Sequence, residues 1–125
     1  MSPARDLPPC PGRPNCISSR AVDPRHRIQP FRIAGDPDAA WSAIHDCLAR
    51  WPRTRIVEAS PEYLRAECRT RFLRFTDDLE LALDREAGLV HLRSSARIDY
   101  TDFGVNRRRA EAIRRRLVRE GVLSA

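Results

Sequence analysis

Lysine is missing: all 23 basic residues among the 125 are arginine. Coding bias in a GC-rich genome accounts for that better than selection for guanidinium chemistry. Also missing is any run of about 18 uncharged apolar residues, which excludes a membrane-spanning helix. Met1-Ser2-Pro3-Ala4-Arg5-Asp6-Leu7-Pro8-Pro9 has none of the apolar stretch of a secretory signal. The expectation is a cytoplasmic chain, staying where it is made. Of the four cysteines, only Cys10 and Cys16 are close in sequence. Zinc pairs are usually about two to four residues apart and need a second pair, so no metal and no cofactor is expected.

What is present suits one globular domain. The length is near the modal domain size, and 42% apolar residues can fill a single core. The net charge of +6 suits an anionic partner without naming one. Pro3, Pro8, Pro9, Pro11, Pro14, Pro24 and Pro30 crowd the first thirty residues. Each fixes φ and removes an amide donor, so this stretch is an extended arm. Residues 1–9 are expected as a disordered tail, 10–120 as the domain with its arm, and 121–125 as a C-terminal tail.

The elements follow from periodicity. Ile28 to Ile33 reads as a short strand. Asp36-Pro37-Asp38 is a helix start, with an N-cap carboxylate and proline at the first helical position. Trp41, Ile44, Leu48 and Trp51 form one apolar stripe and are read as core. From Arg53 to Ile98 the period becomes two. Thr54 to Ala59 is a strand, then Leu64, Ala66 and Cys68 alternate with Arg65, Glu67 and Arg69. The register slips toward Leu73 and Phe75, which predicts a bulge near Arg71-Phe72. Leu79, Leu81 and Leu83, then Val90, Leu92, Ser94, Ala96 and Ile98, complete the inward face. The last helix starts near Asp102 or Val105, with Asp102 as its N-cap and Phe103, Asn106, Ala110, Ile113 and Leu117 inward. Arg107–Glu111, Glu111–Arg115 and Arg116–Glu120 are its expected surface pairs. The fold class is therefore α+β: a mainly antiparallel sheet of four or five strands, two helices on one face, and a proline-rich N-terminal arm.

Three places offer chemistry. The arginine-rich last helix fits phosphate, but its glutamates and the lack of any nucleic-acid motif count against DNA or RNA as partner. A Cys16, His26, Asn106 set has catalytic residue types with no spacing to distinguish it from chance; Cys10 and Cys16 are a small disulfide or two inert thiols. The stretch Ser94 to Arg107 concentrates donors and acceptors at a strand-to-helix turn, where helix amides attract anions.

Four motifs occur in order: Cys10-Pro11-x-x-Pro14-Asn15-Cys16-Ile17-Ser18-Ser19, Phe75-x-Asp77-Asp78-Leu79-Glu80, Arg93-Ser94-Ser95-Ala96-Arg97 and Asp102-x-Gly104-Val105-Asn106-Arg107-x-Arg109. Together they resemble the domain-of-unknown-function 1499 family over nearly the whole chain. The resemblance implies that the Cys10–Ser19 arm belongs to the domain. It brings bacterial and plastid relatives, many of them membrane-anchored or exported, and implies no activity.

The resulting expectation is a small soluble binding or accessory module for an anionic small molecule or lipid headgroup. Its polar site would combine Asn15, Cys16, Asp77, Asp78, Arg97, Asp102, Asn106 and Arg107. The alternatives are a hydrolase using Cys16 or the Asp77/Asp78 cluster, and a protein-interaction module of an envelope or plastid-like assembly.

Overall fold

Asp36 starts the first helix as its sequence dictates: the carboxylate accepts from the Ala39 amide at 2.8 Å, and Pro37 follows. The structure is a computed structural model that describes residues 5–12, 15–72, 75–98 and 104–125. Its elements are β1 (Cys16–Ser18), β2 (Phe31–Arg32), α1 (Pro37–Ala49), β3 (Thr54–Ala59), β4 (Tyr63–Arg69), β5 (Thr76–Asp84), β6 (Leu89–Ala96) and α2 (Val105–Arg119). The sheet is antiparallel in the order β1-β6-β5-β4-β3, and β2 pairs the opposite end of β6 from β1. This is the expected α+β architecture with six described strands.

Period-two patterning settles the inner face. Leu64, Ala66 and Cys68 of β4, Leu79, Leu81 and Leu83 of β5, and Val90 and Leu92 of β6 pack against Trp41, Ile44 and Leu48 of α1. Ala110, Ile113 and Leu117 of α2 complete that core. Burying each such Leu or Ile side chain contributes roughly 1.5–3 kcal/mol. Cys47 and Cys68 are core residues, and burial pushes both thiols up.

Three expectations are corrected. Among the described residues no bulge lies near Arg71-Phe72: β4 ends at Arg69, which pairs with Thr76 at the start of β5, and the Thr70 amide donates to Phe75 O (2.8 Å). The apolar Phe75 mimics a strand register there, and Leu73 lies outside the described residues. The sheet's irregularity is instead between Ile56 and Glu58, where β3 meets β4. Ile98 is not an inward strand residue, because β6 ends at Ala96 and Ile98 is exposed. The first strand is β1, ahead of the stretch from Ile28 to Ile33, of which only Phe31–Arg32 is strand.

Leu7 and Leu123 are both buried against the sheet. Leu7, in the stretch expected as a tail, is buried with Tyr63 and Ala82 on the outer face of the sheet. The Arg5 guanidinium lies 3.7 Å from the Tyr63 ring centroid. Gly121, at φ 78°, lets α2 stop in a Schellman turn with Val122 N donating to Leu117 O. Leu123 then bridges to Ile33, and Ser124 N donates to Arg32 O, so the residues past α2 continue along β2.

Candidate functional site

An inward-facing carboxylate on an apolar strand face demands a partner, and Asp77 is one: it shares the core face with Leu79, Leu81 and Leu83 and is fully buried. Arg109 of α2 supplies the partner, its Nη2 donating to Asp77 Oδ2 at 2.9 Å. Arg109 Nη1 also donates to Asn106 Oδ1 (3.1 Å), which accepts from Ser94 Oγ (2.5 Å). Asn106 Nδ2 reaches Asn15 O (3.2 Å), and the Asn15 side chain donates to Ile98 O (3.0 Å). The arm beside Cys16, the start of β5, the end of β6 and the start of α2 therefore converge on one buried polar joint. Arg109, absent from the expected site, is its cation.

The other expected residues go elsewhere. Asp78 is next to Asp77 on a strand and so faces the opposite side, where Arg65 and Arg97 bind it. Arg97 bridges Asp78 and Glu67, and those two contacts hold its guanidinium firmly charged. Arg55 first, then Arg97, holds the Glu67 carboxyl below its ordinary value. This is the charge-paired outer face that the alternation predicts, with register fixed by cross-strand pairs. Arg107 donates to the carbonyls of Arg27 (2.7 Å) and Arg25 (3.3 Å), bracing the segment after β1. Asp102, and with it the expected N-cap, lies outside the described residues; Gly104 occupies the cap position of α2 at φ 80°.

Three arginines of the basic helix are engaged within the fold. Besides Arg107 and Arg109, Arg114 donates to Pro30 O and Gln29 O and lies over the Phe31 ring. Of the three expected surface pairs, Arg116–Glu120 is present among the described residues, while Glu111 pairs with Arg114.

Cys16 is bonded to Cys10, with Cα atoms 5.7 Å apart, and is fully buried. His26 Nδ1 is hydrogen-bonded to the Cys16 carbonyl, not to sulfur (2.9 Å). Among the described residues, no group of three or more metal-ligating side chains gathers.

One serine–histidine contact was not foreseen: Ser19 Oγ and His91 Nδ1 are hydrogen-bonded at 3.0 Å. Ser19 is buried and accepts the Leu92 amide (2.9 Å), so it fastens the end of β1 to β6. Burial, and then the Arg20 charge, push the His91 imidazole below its ordinary value of 6.5. The unfolded chain takes up that proton first, so His91's contribution to stability is complete above about pH 6.5 and is lost as pH falls below it. Melting the protein between about pH 7 and pH 5 is expected to show a decline that His91→Gln flattens.

Three of the cations without an ion-pair partner lie at the end of the sheet where β3 starts and β4 ends. A pocket of about 620 Å³ there is lined by Arg53, Thr54, Arg55, Glu67, Arg69, Thr70 and Arg71. Among the described residues, Arg53, Arg69 and Arg71 have no ion-pair partner, whereas Arg55 and Glu67 bind each other at 3.0 Å. Arg53 has a left-handed backbone, φ 55°, the one such non-glycine among the described residues. That conformation costs roughly 1–2 kcal/mol and falls in the turn between α1 and β3. Sequence reasoning passed these arginines over because each reads as a solvated strand or turn residue.

A family model described as Protein of unknown function (DUF1499) matches residues 6–117. Comparisons with curated proteins and with solved structures gave no match. Among the described residues, no helix is long and apolar enough to cross a membrane.

Proposed function

The chain belongs to this family of unknown function, and from that premise we propose that it is a binding domain for an anionic group, phosphate or carboxylate, taken at the arginine-walled end of the sheet. One observation carries the reading: four guanidinium groups line an open pocket whose single carboxylate, Glu67, is already bound by Arg55 and Arg97. Arg53, Arg69 and Arg71 are then free to meet a ligand with the planar, bidentate donor geometry that suits oxyanions. The Thr54 and Thr70 hydroxyls add neutral polar groups to the wall. The arginines of the strand-to-helix joint suit the role less well, since Arg97, Arg107 and Arg109 are engaged within the fold.

The test is a thermal melt with inorganic phosphate against sodium chloride of equal ionic strength. A ligand at a hundredfold excess over its dissociation constant stabilises by about 2.7 kcal/mol. The wild type is expected to melt higher in phosphate, and the Arg69→Ser/Arg71→Ser variant to lose that rise. Both side chains are exposed, so the variant itself is expected to fold with a change within about 0.5 kcal/mol. No rise in the wild type, or an equal rise in the variant, refutes the reading.

A further inference from the structure

The same end of the sheet carries an exposed aromatic. Phe72, in the connection between β4 and β5, is 87% exposed, and the Arg71 guanidinium lies 5.6 Å from its ring centroid. Ile98 is a second exposed apolar side chain. It follows the end of β6, whose neighbour strand β5 starts at that sheet end, so the pairing places it on the same side of the molecule. Two of the three large apolar residues left in solvent among the described residues thus share an end with Arg53, Arg69 and Arg71; the third, Val22, does not. A pocket for a free small anion has no use for an apolar tip outside its wall. A surface that meets an interface does.

We infer that this end docks on an anionic lipid bilayer, with Phe72 entering the acyl boundary and Arg53, Arg69 and Arg71 meeting headgroup phosphates. The inference rests on the anion reading above and names its ligand as a lipid surface. Apolar insertion combined with attraction to anionic headgroups is the physics of peripheral membrane attachment. Charge complementarity selects the occupant: each arginine near such a surface strengthens binding about fivefold, so three give about a hundredfold over a neutral bilayer. Phe72 adds about tenfold by partial burial. The attachment is reversible and weakens with salt, because the arginines sit in solvent within reach of screening.

The experiment is co-sedimentation of the full chain with vesicles of phosphatidylcholine alone and of phosphatidylcholine with phosphatidylglycerol. The wild type is expected to sediment with the anionic vesicles and not the neutral ones, and to be released by raised salt. Phe72→Ser is expected to lower partitioning about tenfold while keeping the phosphate-induced rise in melting. Arg69→Ser/Arg71→Ser is expected to lower it about twenty-five-fold and to lose that rise as well. If the wild type stays in the supernatant while phosphate still stabilises it, the lipid inference falls and the anion site stands. If neither occurs, both fall. Undiminished sedimentation of Phe72→Ser, or capture by a nucleic-acid oligonucleotide in place of vesicles, also overturns the lipid inference.

Discussion

Asp77→Ala is expected to destabilise the domain by about 3–5 kcal/mol, lowering the melting midpoint by roughly 10–20 °C. The reason is what remains: the Arg109 side chain, only 10% exposed, would keep Asn106 Oδ1 and Ser94 Oγ but no countercharge. An uncompensated buried charge costs far more than the pair contributes. The adjacent Asp78→Ala sets the scale. Its carboxylate sits in the solvent-facing network with Arg65 and Arg97, and its loss is expected to cost about 1 kcal/mol or less. Replacing both members of the buried pair, as Asp77→Leu with Arg109→Leu, is expected to recover much of the single-mutant loss. Urea unfolding of the four proteins makes the comparison; equal costs for Asp77→Ala and Asp78→Ala would contradict the buried joint.

Reducing the Cys10–Cys16 bond is expected to cost about 2 kcal/mol, from the entropy that a small closed loop removes from the unfolded chain. For a domain of this size that is a fall of roughly 5–10 °C in melting midpoint. Cys10 also fixes where the preceding segment leaves the sheet, so reduction is expected to loosen Leu7 from Tyr63 and Ala82. Cys10→Ser should melt like the reduced wild type and be indifferent to reductant, since Cys47 and Cys68 are buried free thiols. A wild type whose melting ignores reductant would contradict the linkage.

Elements with their own pattern were readable. Asp36-Pro37-Asp38 announced α1, and alternation announced β4 to β6 with their inner and outer faces. Elements held by a neighbour were not. β1 and β2 are three and two residues long and exist because β6 offers them its edge. Residues 121–125 carry little pattern, yet Leu123 is buried because β2 receives it. At the joint the structure gathers Asn15, Asp77 and Asn106 from the expected set, sends Asp78, Arg97 and Arg107 elsewhere, and adds Arg109. Seven arginines on one helix look alike in sequence, and burial distinguishes them. The usable signal was on β5: Asp77 falls in phase with Leu79, Leu81 and Leu83, so a carboxylate on the core face had to have a cation opposite it. For the anion site, the sequence displayed Arg97 and Arg107 beside a helix start, and tertiary contacts engage both. Arg53, Arg69 and Arg71 meet only because two antiparallel strands bring a turn and a hairpin to the same sheet end.

Ligand-facing charge is proposed at that sheet end, with the strand-to-helix joint serving structure alone. Arginine side-chain Nε–H resonances followed during titration with inorganic phosphate test it directly. Saturable shifts are expected for Arg53, Arg69 and Arg71, and no change for Arg97, Arg107 and Arg109. Saturable shifts at Arg97 or Arg107, with Arg53, Arg69 and Arg71 unmoved, would contradict it.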